Sequence, residues 1–192
     1  IPFPSELLDE VAAVVQAGQA VLERQPFEHA LALLELALLL ELAVLGAHAP
    51  TVADLPRLKY AEMIVSESMR LYPPAYAIGR QAARPTEVSG HPLPSGVIVI
   101  LPAWVVHRDS RWFEDPEAFR PERWAGDLAR RLPRFAYFPF GGGPRQCIGN
   151  AFAMMEAVLL LATIAQRFRL TMEPGQRVTP TPYVTLRPEP GL

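Results

Sequence analysis

The chain has 192 residues, half of them hydrophobic and a fifth charged, which is material for a packed core and excludes a disordered chain. A formal net charge of −2, with no block of Lys or Arg, excludes a strong electrostatic pull toward nucleic acid or an anionic membrane. A single cysteine excludes an intramolecular disulfide; on its own it is most often a small buried hydrophobe.

No basic stretch followed by an apolar one opens the chain, so no signal peptide is expected. Ser5 is placed to cap a helix running to about Arg24, which Pro26 breaks. A second helix is expected from about Phe27 to Leu45, with Gly46 suited to its C-terminus. The short connection predicts an antiparallel helical hairpin within residues 1–50. The second helix is almost all Ala, Leu and Glu, closer to an idealised helix than to an ordinary one. Its longest apolar run, Ala30 to Leu45, carries Glu35 and Glu41 and is too short and too charged to span a bilayer, so no membrane segment is expected.

Thr51 and Asp54 fit a capping box at the start of a short helical turn. A helix is predicted over Leu58–Leu71, with Tyr60, Met63, Ile64 and Met69 at helical spacing and Pro73 and Pro74 ending it. Strand-like pieces lie near Ala77–Gln81, Glu87–Ser89, Val97–Leu101 and Tyr183–Leu186. Turns and single helical turns fill roughly His107 to Pro139, in keeping with 21 prolines that lie mostly after residue 70. A last long helix is expected from Asn150 to about Phe168, with Phe152, Met155, Glu156, Leu159 and Leu160 forming a mostly core stripe. The fold class is α+β and mainly α.

The chemistry concentrates in Phe140-Gly141-Gly142-Gly143-Pro144-Arg145-Gln146-Cys147-Ile148-Gly149. Three consecutive glycines allow tight turns and close approach of backbone to something flat. Cys147 stands just before a strong helix, where unpaired N–H groups and the helix dipole favour an anion, so it is poised as a thiolate. Arg145 adds positive charge two residues away. A nucleophile needs a base, and His29, His48, His91 and His107 offer no recognisable partner motif. A redox thiol needs a resolving cysteine, and a lone cysteine cannot make a structural zinc site. One thiolate on a haem iron fits.

The pattern Phe140-x-x-Gly143-x-Arg145-x-Cys147-x-Gly149 resembles the haem-binding signature of the cytochrome P-450 family at every fixed position. Glu67-Ser68-Met69-Arg70 is similar to that family's Glu-x-x-Arg motif, and Pro121-Glu122-Arg123-Trp124 to its Pro-Glu-Arg-aromatic motif, in the same order along the chain. The resemblance covers about residues 47–192 and implies a P-450-like proximal haem domain over 51–192 with a small mixed or antiparallel sheet. It implies haem b, with Cys147 as the metal ligand and catalytic thiolate. Arg145 and Arg80 are expected on the haem propionates, and Phe140 beside the sulfur. Pro139, Gly141 and Gly149 are expected in the loop against the cofactor. His107 is expected at the haem edge or, equally, as an ordinary surface histidine. Glu67, Arg70 and Arg123 are expected to form a buried charged network that locks the core.

The resemblance further implies oxidoreductase chemistry, monooxygenase or peroxide-driven, on a small apolar substrate. It implies a ferredoxin- or flavodoxin-like electron donor and a cytoplasmic location. Complete members of the family are roughly twice this long. Their upstream half builds the distal wall of the haem and carries an acid–alcohol pair, whereas residues 1–46 here contain no Thr. The chain is therefore expected to be either a fragment of a longer protein or an engineered minimal form in which the hairpin replaces the distal half. The alternative function is a haem-binding scaffold with little catalysis.

Overall fold

The computed structural model describes residues 42, 45, 46, 48–170 and 175–189. The expected hairpin helices over Ser5–Arg24 and Phe27–Leu45 lie outside the described residues, apart from Leu42 and Leu45. From Thr51 onward the chain follows its local signals. The Asp54 carboxylate accepts the Thr51 N–H at 2.9 Å and the Thr51 hydroxyl at 2.8 Å, opening a 3-10 turn over Val52–Arg57. Helix α1 spans Lys59–Leu71 and stops before Pro73-Pro74, whose rings exclude the helical conformation from the residue ahead of them. Its buried face runs through Ala61, Ile64, Glu67, Arg70 and Leu71, so two charged residues sit on the stripe that faces inward.

Three antiparallel two-stranded ribbons follow, where one small sheet was expected. Strand β1 (Ile78–Gln81) pairs with β4 (Ile98–Leu101), Ile78 opposite Leu101 and Gln81 opposite Ile98. Between them β2 (Thr86–Val88) and β3 (His91–Leu93) form a hairpin. Its two-residue turn, Ser89-Gly90, holds φ at +50° and +83°, the positive values that match the twist of a tight hairpin. The predicted strand over Glu87–Ser89 therefore ends at Val88, because Ser89 makes the turn. Strands β5 (Thr179–Pro182) and β6 (Leu186–Glu189) pair with Pro180 opposite Pro188. A two-stranded ribbon tolerates these prolines because each strand has a free edge that needs no N–H donor. The strand expected over Tyr183–Leu186 is corrected: its first residues are the turn between β5 and β6.

The middle of the chain holds helix α2 (Ala103–Val106), a 3-10 turn at Pro121–Trp124, helix α3 (Leu128–Arg131) and a 3-10 turn at Gly143–Arg145. Helix α4 then runs from Asn150 to Arg167. The core joins α1 to α4: Leu58, Ala61 and Ile64 pack with Val158 and Ala162, and Leu42 and Leu45 complete the cluster. The expected core stripe of α4 holds at Leu159, which packs against this cluster, and is corrected at Phe152, Glu156 and Leu160. Phe152, Glu156, Leu160 and Ile164, four residues apart, face outward, while Val158 and Ala162 face inward. The helix is apolar on nearly every side, so its periodicity does not say which side is buried. Among the described residues no helix is long and apolar enough to cross a membrane.

Candidate functional site

Glu67 and Arg70 are three residues apart on α1 and both are fully buried. Arg70 grips the carboxylate with two bonds, Nε to Oε2 at 2.9 Å and Nη2 to Oε1 at 2.8 Å. Its other N–H groups donate to the carbonyls of His107, Pro116 and Ala118, and the guanidinium lies 5.1 Å from the centre of the Phe113 ring. Glu67 also accepts Arg123 Nε, the Arg120 N–H and the Trp124 indole N–H, each at 2.9 Å. Burial by itself would raise the Glu67 carboxyl. The Arg70 hydrogen bonds and charge, the Arg120 N–H and Arg123 outweigh it and hold the group below the ordinary carboxylate range. The structure thus brings Glu67, Arg70 and Arg123 together with every buried donor and acceptor answered. Trp124 and the Arg120 N–H complete the carboxylate's shell and went unread in sequence; the indole of the Pro-Glu-Arg-Trp motif was the available signal.

His107 closes α2 and none of its surface is accessible. The expectation of a surface histidine is corrected: the ring lies in the interior. Its Nε2 accepts the Phe138 N–H at 2.9 Å, and its ring packs against Tyr137 and Phe138, both at 5.1 Å between centres. It supports from beneath the segment that leads into the cysteine loop.

That loop is the opposite of the charged cluster. Cys147 is exposed, and its N–H donates to the Phe140 carbonyl at 2.9 Å, which fixes its backbone across the glycine turn. Ile148 beside it is wholly exposed, and Phe152 is 61% exposed on the first turns of α4. Gly141 holds φ at +73°. At Gly142 an added Cβ would lie 2.3 Å from the ring of Phe135, so any larger residue must push that half-exposed ring aside. Phe140 is half-buried. With Pro139 and Gly141 it lines a half-open cavity of about 330 Å³ between α1, the loop and the start of α4. Arg145 is exposed in the loop, and Arg80 is exposed on β1 with its guanidinium on the Gly79 carbonyl.

The arrangement is an α+β, mainly helical fold that presents one cysteine, on a glycine-rich loop, ahead of its longest described helix. Residues 40–192 match the cytochrome P-450 family, and the chain belongs to that family, one of haem proteins. It is 44% identical over 77% of its length to cyclooctatin synthase and 43% identical over 69% to cyclooctat-9-en-7-ol 5-monooxygenase, both from Streptomyces melanosporofaciens. It covers 32% and 29% of those proteins, so it spans about a third of the curated relatives it matches. A crystal structure of a cytochrome P-450, CYP102L1, is similar with a TM-score of 0.71 at 30% identity, over 82% of this chain and 36% of that one.

A haem needs an axial donor, a flat apolar seat and cations for its carboxylates. The residues present fit that group. An accessible thiol stands beside exposed Ile148 and Phe152, the backbone next to it is glycine, and Arg145 is free to reach outward.

Proposed function

We propose that residues 51–192 form a haem-thiolate domain that binds haem b through Cys147 and serves oxidoreductase chemistry, monooxygenation or a peroxide-driven reaction. The observation that carries this reading is the exposed Cys147 thiol immediately ahead of α4, on a residue whose backbone N–H donates to the Phe140 carbonyl. When bound, the iron porphyrin supplies redox chemistry, and a thiolate donor pushes electron density onto the metal.

The chain's own groups divide the remaining work. Cys147 offers the sulfur, and the glycines let the backbone pass close to the ring. Phe140, Pro139, Gly141 and Gly149 form the apolar seat and limit water at the sulfur. Arg145 and Arg80 pair with the carboxylates, a task for which a guanidinium fork is suited. Glu67, Arg70 and Arg123 hold α1 to the Pro121–Trp124 turn and so keep the surface behind the loop in place. The named monooxygenase relative supports a small, largely apolar substrate; a ferredoxin- or flavodoxin-like protein would deliver the electrons.

The test is the absorption spectrum of the purified protein with haem, reduced and exposed to carbon monoxide, beside Cys147→Ser. A strongly red-shifted Soret band that vanishes in the variant is the expected result. A band typical of histidine-ligated haem, or one unchanged by the substitution, overturns the reading.

A further inference from the structure

His107 is a buried titratable group that the proposed chemistry does not use. Its Nε2 accepts the Phe138 N–H at 2.9 Å, so this nitrogen carries no proton and the neutral ring holds its hydrogen on Nδ1. Nδ1 is buried and makes no hydrogen bond among the described residues. The Tyr137–Phe140 segment above the ring is tied down at few points. The Tyr137 hydroxyl donates to the Ser66 carbonyl at 3.0 Å, the Phe138 N–H donates to His107, and the Phe138 carbonyl accepts the Gly141 N–H at 2.9 Å. The next carbonyl but one, that of Phe140, is the acceptor for the Cys147 N–H.

We propose that His107 is a proton-sensitive positioning residue for the cysteine loop: its neutral ring holds Phe138, and uptake of a second proton at Nε2 releases the segment on which Cys147 is mounted. The step is a simple protonation. The incoming proton takes the Nε2 lone pair, and the Phe138 N–H is left facing another donor with no acceptor.

The surroundings set the direction. Burial, first, disfavours the charged ring. The Arg70 and Met69 backbone favours it, while the cationic side chains of Arg70 on α1 and Arg108 on the same turn oppose it. Together they hold the His107 pKa down at about 4. Tyr137 faces the ring from the loop as a neutral phenol, its own pKa pushed up mainly by burial. Glu67 offers no relief, since its oxygens are taken by Arg70, Arg123, Trp124 and the Arg120 N–H. Acid therefore acts on a single hydrogen bond beneath the loop.

The placing of Cys147 as the functional thiol rests on the function proposed above, but the bond itself is read without a cofactor. Hydrogen exchange of the Phe138 amide, corrected for intrinsic rate, is followed from pH 7 to pH 4, with the Arg120 amide on Glu67 as internal reference. Phe138 is expected to lose protection by roughly tenfold or more as acid competes for Nε2, while Arg120 keeps its protection. In His107→Gln an amide oxygen accepts the N–H and does not titrate, so Phe138 stays protected at both ends. In His107→Leu it is unprotected at both. A flat wild-type profile, a Gln variant that follows the wild type, or joint loss at Phe138 and Arg120 overturns the proposal. Failure of the haem reading would leave these exchange profiles unchanged.

Discussion

The Glu67 cluster and the Cys147 loop lie on neighbouring parts of one fold and are built on opposite rules. Around Glu67 five hydrogen bonds meet one carboxylate, and neither Glu67 nor Arg70 has any side-chain surface in water. Around Cys147 the thiol, Ile148 and Phe152 stand open to solvent. The first region is complete within the described chain. The second exposes apolar surface beside a soft donor, which is the condition of a seat rather than of a core. Charge is enclosed in the first region, and apolar surface is left open in the second.

The largest effect should come from breaking the closed region. Glu67→Leu strands Arg70 and Arg123 as buried, unpaired cations and is expected to lower unfolding free energy by about 3–5 kcal/mol in urea titration. A loss of under about 1 kcal/mol would mean the cluster is solvated in solution. Acid probes the boundary between the regions. The folded His107 pKa of about 4 lies below the ordinary histidine value of 6.5, so the unfolded chain binds the extra proton first. Stability from this group is full above about pH 6.5, falls as pH drops toward 4 and then levels, a loss of about 3 kcal/mol. Denaturant midpoints across that range measure it, and His107→Gln should remove the slope. Glu67, whose pKa is lowered, contributes a separate loss only below its ordinary unfolded range.

Smaller changes sharpen the contrast. Gly142→Ala drives a methyl into the Phe135 ring and should cost about 1–3 kcal/mol in thermal or urea unfolding. Trp124→Phe keeps the ring packing but leaves one Glu67 lone pair unanswered, with an expected cost of about 1–2 kcal/mol by the same measurement. Cys147→Ser should change stability least, within about 0.5 kcal/mol, because the thiol is exposed and its backbone bond survives. A large destabilisation there would make Cys147 a structural residue and sink the contrast.

Much of this was legible from residue order alone. Helix α1 ends where Pro73-Pro74 require it, the Thr51–Asp54 box opens its turn, and the cysteine loop declares itself through three glycines and a helix start. The ribbon at β5 and β6 was misplaced because alternating prolines read as a break; they are tolerated only because both strands keep a free edge. The outward face of α4 was misread because a helix apolar all round has no preferred side until its neighbours are known.

What the sequence by itself determined was local: where helices start and stop, where backbone needs glycine, and which cysteine stands before a helix. Each of these depends on residues within a few positions, whose sterics and hydrogen bonds act before the chain closes. Only the tertiary structure decided that Trp124 meets Glu67 across 57 positions, that His107 lies buried under Phe138 across 31, and that Cys147 remains open. Those outcomes depend on which surfaces the folded chain removes from water, and distant partners settle that together.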